Sequence, residues 1–444
     1  SSDLTMRWGY IFSGLICVTV CAILGCGSPK EGHNTDPNTL RFAHAETGGT
    51  IKSVYDEICA EFERLNPGMR VIQIAIEDEV YQDLGLVKLF AGGNPPDVFF
   101  QWGGWLVQRD YAAGRAADLT EYLEKDGWKD EFYDYVWPWA EVDGRIYMIP
   151  HSVGITTILW YNADLLNTLQ AGVPETWREF VDVCRKAKEA GLIPITAGNN
   201  DKWVLGNWGA HIISRVAGEE SYRQALNLAP GTKFANPDFI QALKLIEDLQ
   251  QSGFFNPGVI GLTDEEGQMT FRTGEALFHP IGSWVIDYWI NEVPELHFDF
   301  MNTPSIPGGK GNQESVLGVI AGFMMYKDCP RKELAIRFLR HFYSTESQRR
   351  LVESSGVFTA VKAAMEGEVE PHLAKMRSLA ESAPMLVAPA DTGFRTDVAR
   401  HFYDAINSVI GGLSTPEEAL ERCDRRIERL RAHDALGFSG GKNP

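Results

Sequence analysis

The 444-residue sequence has few basic residues relative to acidic ones, few cysteines and, after its amino-terminal segment, no long apolar run. Its 41 Lys and Arg residues against 60 Asp and Glu residues give a formal net charge of −19. Such a negative surplus repels nucleic acids and anionic lipid surfaces and favours solubility. We therefore expect no nucleic-acid partner, and no membrane-spanning helix beyond the amino-terminal segment.

The cysteines and glycines exclude further classes of protein. After the amino-terminal segment, Cys59, Cys184, Cys329 and Cys423 are widely scattered and show neither zinc-ligand spacing nor a disulfide framework. One disulfide remains open, and the sequence does not select its members. The glycine-rich stretch 308–311 lacks the remaining residues of a phosphate-binding loop and is typical of a turn. We expect neither a metal nor a cofactor.

The amino terminus carries a pattern typical of secretion. Met6-Arg7 precedes an uncharged stretch that ends in Ile23-Leu24-Gly25-Cys26, which resembles a bacterial lipobox. In a lipobox the cysteine takes a diacylglyceryl group, whose acyl chains anchor the protein by burying methylenes. We predict a signal peptide at 1–26, lipid attachment at Cys26 and a flexible tether at 27–38. The alternative is an uncleaved anchor in which Cys26 is an ordinary residue; in both cases the domain lies outside the cytoplasmic membrane.

Strand and helix patterns alternate along the remaining chain of about 400 residues. Short β-branched runs alternate with segments whose apolar residues recur at helical spacing, and this predicts an α/β sheet flanked by helices. Strands are predicted at 39–44, 71–76, 97–100, 155–161, 275–279 and 316–325, and near 145–149. Helices are predicted at 51–65, 81–91, 176–190, 237–252, 330–343, 345–354 and 415–431, and Asn199 to Trp208 is predicted to be a loop.

Candidate ligand residues follow the predicted strands, because binding sites of open α/β sheets form at the carboxyl ends of strands. The set is rich in aromatic and amide side chains and poor in Lys and Arg, which suits a neutral polyhydroxyl ligand. Core packing is the alternative for each tryptophan, since most tryptophans are largely buried. The candidates are Glu46, Gln101, Trp102, Gly103, His151, Ser152, Trp203, Trp208, Trp284 and Gly318.

Several of these segments resemble the family 1 extracellular solute-binding proteins, the sugar-binding components of ABC importers related to the maltose-binding protein. Phe271 to Phe278 followed by Gly282-Ser283-Trp284 is similar to the family stretch F-x-x-G-x-A-A-M … G-x-W. Further similarities run in family order through the chain; they are Gly92 to Val98 (G-x-x-P-D-V), Gly144 to Pro150 (G-K-x-Y-G-V-P), Trp160 to Leu166 (Y-Y-N-K-D-L-F), Pro174 to Phe180 (P-P-T-W-E-E-F) and Lys332 to Leu339 (K-E-A-A-x-x-F-L).

The resemblance implies a type II periplasmic-binding-protein clamshell, two α/β lobes that close over one ligand, and no enzymatic activity. It implies lobe 1 at 39–150 and 300–343, lobe 2 at 151–299 and 344–432, a flexible tail at 433–444, and crossovers near 149–154, 299–304 and 343–347. The implied partners are a sugar and the permease subunits of an importer, with the protein a lipid-anchored monomer facing the periplasm or the cell exterior.

Other functions stay open at this point. Gly154 stands where the maltose-binding branch has an acidic residue, which argues against a maltodextrin ligand. A glycerol phosphodiester would need a cation in the cleft, and Arg395 is the candidate. An extracellular glycosidase would need two carboxylates across the scissile bond, and 60 acidic residues make that criterion uninformative. A sensor rather than a transporter as the receiving partner fits the sequence equally well.

Overall fold

The structure is a computed structural model that describes residues 36–383 and 386–435, so the predicted signal peptide, Cys26 and most of the tether and tail lie outside the described residues. The strands are β1 (Thr39–His44), β2 (Arg70–Ala75), β3 (Val98–Trp102), β4 (Glu141–Val142), β5 (Arg145–Ile146), β6 (Ile149–Ile155), β7 (Ile158–Asn162), β8 (Ile193–Ile195), β9 (Ala276–Ile281), β10 (Phe298–Met301), β11 (Val316–Met325) and β12 (Leu386–Val387).

Helices account for most of the remaining described residues. They are α1 (Gly49–Leu65), α2 (Asp78–Val80), α3 (Leu86–Ala91), α4 (Trp105–Ala112), α5 (Thr120–Glu124), α6 (Ala163–Thr168), α7 (Trp177–Glu189), α8 (Trp203–Ala217), α9 (Glu219–Leu226), α10 (Pro237–Gln251), α11 (Asp264–Arg272), α12 (Ile286–Glu292), α13 (Lys332–Phe342), α14 (Thr345–Ser355), α15 (Pro371–Ser382), α16 (Ala390–Gly393), α17 (Thr396–Ile410) and α18 (Pro416–Ala435). A π-helical turn lies at Tyr81–Gly85, and 3₁₀ turns lie at Lys125–Glu131, Asp134–Trp139, Ser283–Val285 and Lys362–Met365.

The first sheet is built around β11, whose residues are all buried. The strand order is β12-β11-β3-β1-β2, and β6 also pairs with β11. β1 is parallel to β2 and β3, whereas β11 is antiparallel to β3 and β6. A strand that is apolar along its whole length is typical of a sheet covered on both faces. α1 covers this sheet because its buried side chains recur three and four residues apart, at Val54, Tyr55, Ile58, Cys59 and Phe62.

The second sheet has the order β10-β7-β9-β8 and its own aromatic cluster. Trp160 of β7 is fully buried, with its ring centroid 5.3 Å from that of Trp289 and 5.2 Å from that of Phe300. In the first sheet, the ring of Phe42 lies 4.9 Å from that of Phe323. The predicted α/β fold with two sheet-centred lobes is confirmed.

The chain crosses between the sheets at two strand-to-strand connections. It leaves the first sheet after Ile155 and enters the second at Ile158, and it returns between Met301 and Val316. Backbone hydrogen bonding continues into the first crossover, where Thr156 N donates to Leu317 O at 2.8 Å.

The segment after α13 remains beside the first sheet. Arg350 of α14 forms an ion pair with Glu61 of α1. Further on, Tyr133 N donates to Ala360 O at 3.1 Å. The next helix, α15, instead contacts the second sheet, because the ring of His372 stacks on Phe298 at 4.7 Å.

The prediction of a loop from Asn199 to Trp208 is wrong from Trp203 onward, because α8 begins there. Gly206 and Gly209 of α8 allow α17 to approach closely. A Cβ at Gly206 would lie 2.8 Å from the Tyr403 ring, and one at Gly209 would lie 2.7 Å from Ile406 Cγ2. These glycines therefore serve helix packing.

Cys59, Cys184, Cys329 and Cys423 are free and buried, so the open question of a disulfide among them is answered. Within the described part of the chain, no helix is both long and apolar enough to cross a bilayer. The same residues contain no group of three or more His, Cys, Asp or Glu side chains that could hold a metal ion.

Candidate ligand-binding cleft

The carboxyl ends of β2, β1 and β3 lie side by side and bring three candidate segments together. His44 is in register with Ala75, and Ala43 is in register with Phe99. The residues that follow these strands therefore share one edge of the first sheet. Glu46 follows β1 and is half-buried, and Asp78, the first residue of α2, follows β2.

The carboxyl groups at this edge have strongly shifted pKa values. Burial raises the pKa of Glu46 to about 7, and the nearby Asp78 carboxylate adds to that shift. Burial also raises the pKa of Asp78 to about 6, with further contributions from Glu77 and Asp391. The pKa of Asp391 is raised to about 6 by burial. Because Asp78 acts on Glu46 and Asp391 acts on Asp78, we group these three residues under the name acidic edge.

Asp391 reaches this edge because α16 packs on the glycines that follow β3. A Cβ at Gly104 would lie 3.3 Å from the Cα of Gly393, and the φ of +79° at Gly104 is one that glycine adopts without strain. A Cβ at Gly103 would lie 2.8 Å from the Cβ of Trp139. The paired glycines thus allow a distant segment to approach Trp102, which is half-buried beside Tyr81.

The second lobe contributes a pair of tryptophans at the carboxyl end of β9. Trp284 is 44 % exposed, and its ring centroid lies 5.7 Å from that of half-buried Trp203. The Trp284 ring folds back over Gly282, where a Cβ would overlap it at 2.0 Å. Trp160 Nε1 fixes this turn by donating to Gly282 O at 3.3 Å. The structure therefore presents an exposed indole face.

Four of the predicted site residues are buried among other protein atoms: Gln101, His151, Trp208 and Gly318. Gln101, 1 % exposed, donates to the buried Asp110 and accepts a hydrogen bond from Trp102 N at 3.1 Å. His151, 3 % exposed, lies 3.0 Å from the Tyr55 hydroxyl, and burial lowers its pKa to about 3. Gln101 thus joins β3 to α4, and His151 joins β6 to α1.

Trp208 and Gly318 are buried for packing reasons. Trp208 is 1 % exposed beside Trp177, with the two ring centroids 6.1 Å apart. A Cβ at Gly318 would lie 2.2 Å from Leu386 Cδ1, so this glycine allows β12 to approach β11.

The last two predicted residues lie in ordinary structural surroundings. Ser152 is half-buried in β6, opposite Ala321 of β11. Arg395 donates to both carboxylate oxygens of Asp397, at 3.1 and 2.7 Å, so its charge is matched within the same helix start. An anion clamp at Arg395 therefore finds no support in this geometry.

Sequence reasoning missed Asp78 and Asp391. Asp78 could have been found, because it follows the predicted second strand just as Glu46 follows the first. Asp391 could not, because it reaches the acidic edge only through the packing of α16 on the Gly103-Gly104 turn.

The profile of the bacterial extracellular solute-binding protein family matches residues 47–349. The chain belongs to this family. The match includes Trp102, Trp203 and Trp284 and both strand-to-strand crossovers, whereas Asp391 lies beyond it.

Relatives and solved structures agree with this membership. The multiple sugar-binding protein of Streptococcus mutans is 23 % identical over 375 residues, which cover 81 % of this chain and 84 % of that protein. A chitin oligosaccharide binding protein is 27 % identical with a TM-score of 0.79, covering 89 % of this chain and 99 % of the other. A structure from work on xylan utilisation by Caldanaerobius polysaccharolyticus is 25 % identical with a TM-score of 0.81, covering 88 % of this chain and 100 % of the other.

Proposed function

We propose that this protein captures a carbohydrate between its two lobes and delivers it to the membrane subunits of an ABC importer. The observation that carries the proposal is the exposed Trp284 ring beside Trp203. An indole face in a cleft binds the apolar C–H face of a sugar ring. The names of the S. mutans relative and of the chitin oligosaccharide binding protein support the same ligand class.

The acidic edge supplies the polar half of this proposed site. Carboxylate oxygens accept hydrogen bonds from neighbouring sugar hydroxyls, and a protonated carboxyl group also donates one. We assign Glu46, Trp102, Trp203 and Trp284 to the ligand, with Asp78 and Asp391 added. Gly103 provides room for Trp139, and Gln101, His151, Trp208 and Gly318 are left out because they are buried.

Ligand contacts from both lobes form only when the lobes close, so binding shifts the population toward the closed state. The predicted lobe boundaries need one adjustment under this proposal. Residues 344–365 are placed with lobe 1, because Arg350 pairs with Glu61, and the third crossover is placed near 366–370, because α15 contacts β10.

Export with a lipid anchor at Cys26 completes the proposal, with the protein acting as a monomeric binding component rather than an enzyme. The extracellular family supports export. The anchor rests on the lipobox-like residues 23–26 alone. Palmitate incorporation that persists in a Cys26→Ser variant would contradict the anchor without affecting the ligand proposal.

A panel of saccharides tests the ligand directly. Isothermal titration with xylobiose, N,N′-diacetylchitobiose, maltose, raffinose and galactose should give saturable binding of at least one, and that sugar should raise the melting temperature. Trp284→Ala should weaken its binding by roughly a hundredfold or more, as expected when a stacked aromatic ring is removed.

Tyr326→Ala is the matched control. Tyr326 is a half-buried aromatic residue, and it follows Met325, which pairs with Val98 at the opposite end of β3 from Trp102. Its removal should leave the affinity unchanged. Equal losses in both variants, or no binding of any sugar in the panel, would refute the proposed function.

A further inference from the structure

A group of fully buried polar side chains lies between the two crossovers, away from the cleft. His211 and Arg215 project from α8 of the second lobe, and each is 0 % exposed. They contact Thr157 in the first crossover, and Thr303 and Ser315 at the two ends of the second. These three partners are 0–2 % exposed. We call these five residues the crossover clamp.

Arg215 connects the two ends of the second crossover. Its Nη1 donates to Thr303 O at 2.6 Å and its Nη2 donates to Ser315 O at 2.9 Å. Burial lowers the pKa of Arg215 to about 10, so the guanidinium remains charged at neutral pH. Hydrogen bonds from a charged donor are about twice as strong as neutral ones, and the planar fork fixes two acceptors at once.

His211 connects the first crossover to the second. Arg215 Nε donates to His211 Nε2 at 3.1 Å, Ser315 O lies 3.1 Å from the same Nε2, and two threonine hydroxyls lie beside Nδ1. That nitrogen lies 2.9 Å from Thr157 Oγ1 and 3.2 Å from Thr303 Oγ1. Burial, followed by the adjacent guanidinium, lowers the pKa of His211 well below its usual value. The ring therefore keeps this hydrogen-bonding pattern throughout the physiological pH range.

Both crossovers are thus tied to one turn of one helix, on the second-lobe side. On the first-lobe side the same chain segments are held mainly by β6–β11 pairing, in which Gly154 lies opposite Val319 and Ile155 opposite Gly318. Gly154 and Gly318 thus lie in neighbouring rungs of this ladder.

We infer that His211 and Arg215 are positioning residues for ligand capture: they clamp both crossovers to the second lobe, so that closure bends the chain at 152–155 and 316–319. This inference rests on the proposed function, because it concerns the closure that a bound saccharide stabilises. A loosened clamp leaves the closed geometry a smaller share of the population, and the apparent affinity falls by the same factor.

The variant Arg215→Met tests the clamp against a control that removes another buried arginine. Arg331→Met is the control, because Arg331 is 8 % exposed and forms a buried ion pair with Asp97, at 2.9 Å, within the first lobe. Both variants should lower the melting temperature. Only Arg215→Met should weaken binding of the sugar identified by the panel, by roughly tenfold, and alter the ligand-free radius of gyration in small-angle X-ray scattering.

Two milder variants keep the test decisive if Arg215→Met does not fold. Thr157→Val removes one hydrogen bond to His211 with little change in shape and should shift affinity in the same direction by less. Arg215→Lys keeps the charge but not the fork and should lie between wild type and Arg215→Met. In wild type, hydrogen exchange should respond to the sugar at 152–155 and 316–319 more than at 301–303.

A merely structural role predicts different results. If Arg215→Met and Thr157→Val lower stability but keep wild-type affinity and scattering, or if Arg331→Met changes both equally, the clamp is refuted. If wild type binds no sugar of the panel, the proposed function fails instead. The ligand-free scattering then tests the clamp without a sugar: a changed radius of gyration in Arg215→Met but not in Arg331→Met supports it, and equal values in both refute it.

Discussion

Glu46 shows how burial changes the pKa of a single side chain. Its folded-state pKa of about 7 lies above the ordinary value of 4.5, so the folded protein retains a proton that the unfolded chain releases. Stability should therefore fall as pH rises from about 4.5 to 7, with the penalty complete above that range. Asp78, with a pKa raised to about 6, contributes in the same direction.

Replacement of this carboxyl group should remove its part of the pH dependence. Glu46→Gln should melt at a higher temperature than wild type above pH 7, match it near pH 4, and show a flatter profile between. Scanning calorimetry of the ligand-free protein across this pH range measures the effect. Glu57→Gln, at an exposed position of α1, is the control and should follow the wild-type profile. A Glu46→Gln profile that parallels wild type would contradict the raised pKa.

The sequence predicted which residues lie at strand ends, but it did not predict which of their side chains are buried. Glu46 and Trp102 follow recognisable strands, and the structure places both at the predicted edge. Gln101 was expected there too, but side chains alternate along a strand, and its amide points to Asp110 instead. Burial of this kind depends on segments that pack from elsewhere in the chain, which local patterns do not contain.

The helix α8 packs closely against α17 at two glycines. Gly206 faces the Tyr403 ring, and the Tyr403 hydroxyl donates to Asn207 Oδ1 in the same turn. A larger side chain at Gly206 would separate α8 from α17. Gly206→Val should lower the free energy of unfolding by about 2 kcal/mol, within the range found for overpacked cores.

Urea denaturation followed by circular dichroism measures this loss. Gly172→Val is the control, because a Cβ at Gly172 meets nothing within 4 Å and the expected change is within about 0.5 kcal/mol. If the two variants unfold at the same urea concentration, close approach is not the reason for glycine at position 206.

The burial of each helix explains why the sequence predicts some helices and misses another. α1 and α7 are amphipathic and end at clear signals, and α7 also has a capping box formed by Thr176 and Glu179. α8 is buried along nearly its whole length, so it lacks the polar face that identifies a helix, and its glycines favour a loop.

Across the whole molecule, neither lobe is a continuous piece of chain. β11 and β12 join the first sheet only after all strands of the second sheet have passed, and buried hydrogen bonds of the crossover clamp tie both crossovers to α8. We therefore expect one cooperative unfolding transition in scanning calorimetry, with equal calorimetric and van't Hoff enthalpies. Two resolved transitions would show that the lobes unfold independently.

The overall architecture was predictable because ordered motifs spread through the chain identify the family. The third crossover at 343–347 stays a prediction. The ion pair of Arg350 with Glu61 and the stacking of His372 on Phe298 support our proposal that the chain instead crosses between α14 and α15.

The late position of β11 has a consequence for biogenesis. β11 pairs with β3 and β6, so contacts of its central residues span more than 150 positions of sequence. Pairings over such distances form slowly. The first sheet therefore stays incomplete until β12, at residues 386–387, has left the ribosome.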